Sequence, residues 1–341
     1  MAPGRVVASQ HGYGTDPGMT ARLPASYVLP LRWGSADEGA REELATYLGW
    51  LSDRVAEIFV VDGSPVDVFE ANGGAWGAIV KHLRPDPDLS FLNGKVDGVV
   101  TGLRSATFTK IVVADDDVRY DDDGLARVVD LLEDADVVRP QNYFDPAPWH
   151  ARWDTARSLL NRAFAADYPG TLALRRDALG PDGYDGDVMF ENLELLRTAE
   201  ARGASIASPP DLYVRRLPPS TSHFWSQRVR QAYDDFAIPP RMALWLSLLP
   251  LGASCVGRRD PRTPLIAAGA VIGLAERGRR RAGGAKHFPA SSSLMAPLWV
   301  AERAVTSWLA VRQRVTGGCR YGGVLIPRAA SSPRTLRRAL R

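Results

Sequence analysis

Three consecutive aspartates, Asp115, Asp116 and Asp117, follow the apolar run 109–114. Adjacent carboxylates repel one another unless a cation lies between them, and hard oxygen donors suit Mg²⁺ or Mn²⁺. In extended backbone the side chains of residues i and i+2 face the same way. Asp115 and Asp117 can therefore converge on one ion, with Asp116 beside them. The second triplet, 121–123, reads instead as a solvated turn and helix cap. Asp62 closes another apolar run, 57–62. A carboxylate there can accept hydrogen bonds from a nucleotide base or ribose. It is equally suited to shaping the turn through Gly63-Ser64-Pro65. Asn93-Gly94-Lys95 is not a Walker loop, because Val96 stands where Ser or Thr is needed and position 89 is not Gly. Lys95 at a helix start can still reach a phosphate, or simply remain solvated. The histidines (His11, His82, His150, His223, His287) are scattered, and Cys255 and Cys319 are the only cysteines. A disulfide framework, a cysteine-rich zinc site and a helical histidine-pair metal site are thereby excluded.

Alternating elements must position these groups. Strands are expected at 26–33, 57–62, 89–93, 109–114 and 136–140. Helices are expected at 38–54, 66–83, 94–105 and 123–132, the first with Leu44, Tyr47, Leu48 and Leu51 on one face. Such alternation implies βαβ units and a mainly parallel sheet, whose ligands sit beyond the carboxyl ends of the strands. After Asn142 the rhythm changes. Helices are expected at 149–164, 189–202 and 222–237, with a strand at 171–174. Pro209, Pro218 and Pro219 bracket an irregular stretch, and Pro239-Pro240 marks a boundary.

The chain has 341 residues, 45% hydrophobic and 24% charged, which excludes a disordered or fibrous protein. Its length suggests about two domains. Residues 1–24 read as a loose arm without the apolar centre of a secretory signal, 25–240 as an α/β domain and 241–341 as a helical tail. Up to Pro240 there are 24 Lys+Arg against 36 Asp+Glu; beyond it, 18 against 3. The tail also holds the longest apolar runs, 242–256, 264–275 and 294–311, and a basic cluster at 277–286. Basic plus apolar points to a membrane surface rather than to nucleic acid. The first two runs are shorter than the roughly 20 residues of a comfortable crossing, and the third contains Glu302 and Arg303. A membrane hairpin, interfacial helices or a soluble helical subdomain all fit, and the positive-inside tendency would put the basic cluster on the cytoplasmic side.

The order VVDGSP (60–65), NGKVDGVVTGL (93–103) and IVVADDDVRY (111–120) resembles the inverting GT-A glycosyltransferases of family 2. That family includes ceramide-glucosyltransferase-like and cellulose-synthase-like enzymes. The resemblance spans about 25–237. It implies an α/β, Rossmann-like GT-A fold, mainly parallel with flanking helices, followed here by a helical, membrane-associated segment. It also implies that Asp62 holds the nucleotide base, that Lys95 lies near the donor, and that Asp115 and Asp117 hold Mg²⁺ or Mn²⁺ and through it the diphosphate, next to Asp116. The family's acidic pair at a helix start matches Phe190-Glu191-Asn192-Leu193, with Asn192 in place of the second acid. Glu191 is then the first candidate for the catalytic base and Asp187 the second. The family's Q-x-x-R-W signature matches Gln227-Arg228-Val229-Arg230-Gln231, without its Trp. The resemblance puts Gln227, Arg228 and Arg230 on the donor, Arg230 at the diphosphate, and lets Trp225 supply a stacking face. Gly170–Leu174 is similar to the stretch that closes over the acceptor, and Trp149 and Trp153 pack against a sugar or lipid or into the core.

The function implied is metal-dependent, inverting transfer from a nucleotide-sugar to a hydroxyl of a sugar or lipid-linked acceptor, at the cytoplasmic face of a membrane. Two rivals are a nucleotidyltransferase and a non-catalytic, membrane-anchored nucleotide-sugar-binding protein. The first lacks its basic glycine-rich loop at 29–39; the second draws support from Asn192 and Gln231. An aspartyl phosphatase is disfavoured, because no Thr follows the acid run.

Overall fold

The computed structural model describes residues 22–35 and 37–339. Most of the expected arm lies outside the described residues, and the sheet already begins inside its expected end, at Leu23. Strand β1 (Leu23–Leu31) is flanked by β2 (Val55–Asp62), with β3 (Lys81–Leu83) beyond it, on one side and by β4 (Lys110–Ala114) on the other, all parallel. Helices α1 (Glu38–Ser52), α2 (Val66–Trp76) and α3 (Gly94–Ser105) make the crossovers. Successive residues of β1 alternate faces. Tyr27 and Leu29 join one core with Leu48, Val60 and Val112, and Val28 joins the other with Phe59, Val99 and Leu172. Helix α3 crosses β1 so closely that a Cβ on Gly102 would lie 2.2 Å from Cγ1 of Val28, so only glycine fits there.

Beyond β4 the chain makes β5 (Val118–Arg119), α4 (Asp122–Asp130), β6 (Val137–Val138), β7 (Gln141–Phe144), α5 (Trp149–Phe164) and β8 (Thr171–Arg175). Asp121 caps α4 through the Gly124 N–H, as the acid triplet predicts. Next come α6 (Glu191–Ala201), β9 (Ile206–Ala207), β10 (Tyr213–Arg216) and α7 (Thr221–Tyr233). The main sheet runs β3-β2-β1-β4-β8-β6-β9, with β8 antiparallel to both neighbours, and a second sheet is ordered β5-β10-β7. The result is a mixed α/β architecture whose main sheet is mostly parallel.

Two expected elements differ. The helix expected through 83 ends at Trp76, because Gly73, Gly74 and Gly77 weaken it. The chain then adds β3 alongside β2. Residues 89–93 form a loop rather than a strand. Their N–H groups are satisfied from elsewhere: Phe91 donates to Asp97, Leu92 to Asp187 and Asn93 to the Gly186 carbonyl.

The tail is helical: α8 (Pro239–Gly257), α9 (Arg262–Arg280), α10 (Ala290–Leu294) and α11 (Ala296–Val315). A hairpin of β11 (Cys319–Tyr321) and β12 (Val324–Ile326) and then α12 (Pro333–Ala339) follow. The tail packs onto the body, with Leu159 and Ala156 of α5 sharing a core with Ala275, Phe288 and Trp299. Arg303 of α11 is buried against Asp235. Among the described residues no helix is long and apolar enough to cross a membrane.

Candidate active site

The carboxyl ends of β1, β2 and β4 open into a cavity of about 1120 Å³, walled on the far side by α6, α7 and the β11–β12 hairpin. Asp115, Asp116 and Asp117 form its floor where β4 ends. The turn is pinned from below: the Asp115 N–H donates to the Gly170 carbonyl (2.8 Å), and Arg119 donates to the Asp116 carbonyl (2.7 Å). A Cβ on Gly170 would come within 2.8 Å of Asp115 Oδ2, so the stretch before β8 needs glycine to pass the acids.

Asp115 and Asp117 meet on one cation, the Arg216 guanidinium from the end of β10. Arg216 Nε lies 2.8 Å from Asp117 Oδ2 and Nη2 lies 3.5 Å from Asp115 Oδ2. Lys95, in the first turn of α3, reaches Asp115 Oδ1 at 2.5 Å and Glu191 Oε1 at 2.6 Å. Asp116 turns the other way and accepts from Trp33 Nε1 at 2.6 Å. Burial would lower the Lys95 pKa, but the Asp115 and Glu191 carboxylates override it and raise it. Burial would raise Asp115, yet Lys95 and Arg216 hold it below its ordinary value. Asp117 is lifted to about 6, chiefly by burial and further by the Asp115 and Asp116 charges, against the pull of Arg216.

The donor chemistry fits a divalent ion. Asp115 and Asp117 already share a cation, but they are two carboxylates only: no cluster of three or more His, Cys, Asp or Glu that could hold a metal occurs among the described residues. An ion held here would take its other ligands from a diphosphate and water, as Mg²⁺ does when carried by one or two carboxylates.

Other expected site residues divide. Gln227 and Arg230 of α7 line the cavity; Arg230 donates to Gln227 (2.7 Å), and its guanidinium lies 4.3 Å from the Tyr321 ring centroid. Asn192 also lines it and donates to the Pro169 carbonyl. Asp62 does not reach it. Its carboxylate is fully buried and accepts from the Ser64 N–H (2.8 Å), Asn72 (2.9 Å) and His82 (3.1 Å), so it shapes the turn rather than offering itself to a base. Burial pushes that carboxyl up, and those three partners outweigh it and hold it low.

Asp187 is not among the residues that line the cavity; its Oδ1 accepts the Leu92 N–H (2.9 Å) and so anchors the 89–93 loop. Trp225 is half exposed and is not among the cavity-lining residues; it packs edge-to-face on Trp153 and Phe224 and at a tilt on Trp149. Arg228 touches the cavity but is committed to Asp154 (2.9 Å) and Glu302 (3.5 Å), joining α7 to α5 and α11. Three residues that the sequence did not single out also line the cavity: Trp33, Arg216 and Tyr321. Arg216 and Tyr321 come from short strands without usable periodicity.

No protein-family model and no curated protein matches the chain. Among solved structures it is similar to the mannosyltransferase PcManGT from Pyrobaculum calidifontis in complex with GDP-Man and Mn²⁺, at 18% identity over 85% of this chain and 88% of that one, TM-score 0.47. It is also similar to glucosyl-3-phosphoglycerate synthase from Mycobacterium tuberculosis in complex with Mn²⁺, UDP and glucosyl-3-phosphoglycerate, at 19% identity over 61% and 77%, TM-score 0.41. That synthase is also seen with Mg²⁺ and UDP, at 18% identity over 61% and 76%, TM-score 0.41. At these values the likeness assigns no activity to this chain.

Proposed function

We propose that the protein is an inverting glycosyltransferase of the GT-A, family 2 type, which moves a sugar from a nucleotide-sugar to an acceptor hydroxyl. The observation that carries this reading is the convergence of Asp115 and Asp117 on one cation at the cavity floor, with Lys95 joining Asp115 to Glu191. Asp115 and Asp117 would hold Mg²⁺ or Mn²⁺, which when bound offsets the charge growing on the leaving diphosphate. Arg216 and Arg230 present guanidinium forks suited to phosphate oxygens, and Lys95 adds a third fixed positive charge.

Glu191 acts as general base. The acceptor oxygen forms a bond to the anomeric carbon as the bond to the diphosphate breaks, and the acceptor's proton passes to Glu191. One displacement with no covalent nucleophile inverts the anomeric centre. A binding protein without turnover is favoured by one observation: Glu191 is held in an ion pair by Lys95, and Asn192 offers no second acid.

The basic tail would hold the protein at the cytoplasmic face of a membrane, where a sugar or lipid-linked acceptor is presented. Support comes from α8 and α9, which expose Leu244, Leu249, Leu251, Val256, Leu265 and Ile266, with Arg258, Arg259 and Arg262 around the bend between them.

Incubation with UDP- and GDP-sugars and Mn²⁺, following release of the nucleoside diphosphate, tests the reaction. Release that Asp117→Ala and Glu191→Gln each abolish supports transfer chemistry. Tight donor binding with no release supports the binding protein.

A further inference from the structure

Four aromatic rings cluster where α5 and α7 begin: Trp149, Trp153, Phe224 and Trp225. Phe224 is buried at their centre, with ring centroids 5.8, 6.0 and 5.0 Å from Trp149, Trp153 and Trp225. The transfer chemistry at the cavity floor uses none of the tryptophans. Large rings usually sit inside, and an exposed group of them marks a contact surface. Trp149 is 46% exposed and Trp225 50%. Their centroids are 6.3 Å apart, and each packs edge-on against Trp153. Trp153 is in turn tied to Glu302 by an Nε1 hydrogen bond (3.2 Å). Two rings are thus held at the surface with their orientations set in advance, so covering them costs little side-chain entropy.

The surroundings say what covers them. The patch is continuous with the main cavity, because Phe224 and its neighbours Ser220 and His223 line that cavity. The stretch 217–226 contains no Asp, Glu, Lys or Arg, and its exposed polar groups include the hydroxyls of Ser220, Thr221, Ser222 and Ser226. An anionic membrane surface is met by basic side chains, as at the bend between α8 and α9, and this stretch has none. A neutral saccharide suits it. The C–H face of a sugar ring covers an aromatic face, while the hydroxyls at its edge meet the serine and threonine hydroxyls and the indole N–H groups. Spacing along α7 sets the length of that saccharide. Residues 223–225 lie five to seven positions before Arg230, which is about 7–11 Å along the helix axis. One sugar ring does not span from the diphosphate end of the cavity to the tryptophans, and a chain of linked rings does.

We propose that Trp149 and Trp225 form a subsite for a neutral oligosaccharide acceptor, which stacks a distal sugar on their rings while its terminal hydroxyl lies in the main cavity toward Glu191. Calling this saccharide the acceptor rests on the glycosyl-transfer reading, whereas saccharide binding at the two tryptophans does not.

Calorimetric titration into the full chain tests this, with linear hexasaccharides of glucose, mannose and galactose and with the three free monosaccharides. Each is titrated once with nucleoside diphosphate and Mn²⁺ present and once without them. At least one hexasaccharide should bind saturably in both arms, with Kd of about 1 mM, and its monosaccharide at least about tenfold more weakly. The double variant Trp149→Ala/Trp225→Ala should weaken the hexasaccharide about tenfold, with nucleotide affinity unchanged as the sign of an intact cavity. Trp149→Phe/Trp225→Phe, which keeps a ring at both places, should fall between the two. No saturable hexasaccharide binding, equal affinity for the monosaccharide, or equal affinity in the alanine variant overturns the proposal. Flotation with phosphatidylcholine vesicles that the alanine variant loses would assign the patch to a lipid surface and overturn it as well. Hexasaccharide binding without nucleotide binding would sink the transferase reading and leave the subsite standing. Nucleotide release without hexasaccharide binding would sink the subsite alone.

Discussion

Asp154 shows how charge is balanced beside the cavity. Burial alone would raise its carboxyl, but Arg228 and Arg157 outweigh burial and bring it to about 2. A carboxyl lowered on folding stabilises the native state above its unfolded pKa and loses that contribution as pH falls through the folded value. From its ordinary 3.8 to about 2, the shift is worth about 2 kcal/mol, lost between about pH 4 and pH 2. Urea unfolding at pH 5 and pH 2.5 should therefore show the wild type losing more stability than Asp154→Asn; equal losses would contradict this. At this scale the sequence is readable where chemistry follows directly from an element's end. Asp115, Asp117 and Lys95 sit at a strand's carboxyl end and a helix start, and the structure brings them together with Glu191. Asp62 has the same local signature, an apolar run ending in an acid. Its partners Asn72 and His82 come from α2 and β3, and nothing in the local pattern shows that they consume it. Arg216 is hidden for the opposite reason, since it lies in a proline-bracketed stretch whose four-residue strand is defined by pairing with β5 and β7.

The β11–β12 hairpin is the element that the sequence concealed most fully. It places Tyr321 under Arg230 at the cavity wall. Its strands have three residues each, too short for alternation to register. Gly322 and Gly323 form its two-residue turn with φ of 56° and 89°, the pattern of a type I′ hairpin. Left-handed backbone costs a branched residue roughly 1–2 kcal/mol. The double variant Gly322→Val/Gly323→Val should therefore speed amide exchange across Cys319–Ile326 and reduce donor turnover, with the main sheet's protection unchanged. Unaltered exchange in the hairpin would contradict the assignment. The longer elements were legible because periodicity reports burial: the expected helix 149–164 is α5 to the residue. The failures at α2 and at 89–93 come from glycines and from loop N–H groups satisfied by distant partners.

At the scale of the molecule, an acidic body is joined to a basic tail that packs on it through α5, α7 and α11 while leaving much of α8 and the start of α9 uncovered. Anionic vesicles should carry the protein upward in a flotation gradient at low salt. Replacing Leu249, Leu251, Leu265 and Ile266 by Ser should release it, and equal flotation of the variant would contradict a role for these helices. The tail also supplies Tyr321 to the main cavity, so a body trimmed at Pro240 lacks that part of the wall. The most direct measurement of the whole account is calorimetric titration of UDP and GDP into the wild type and Asp117→Asn, each with Mn²⁺ and with EDTA. One of the two nucleotides is predicted to bind the wild type at least about tenfold more tightly with Mn²⁺ than with EDTA, and the variant should lose that gain. Equal affinity with and without the ion, or an undiminished gain in Asp117→Asn, would contradict it.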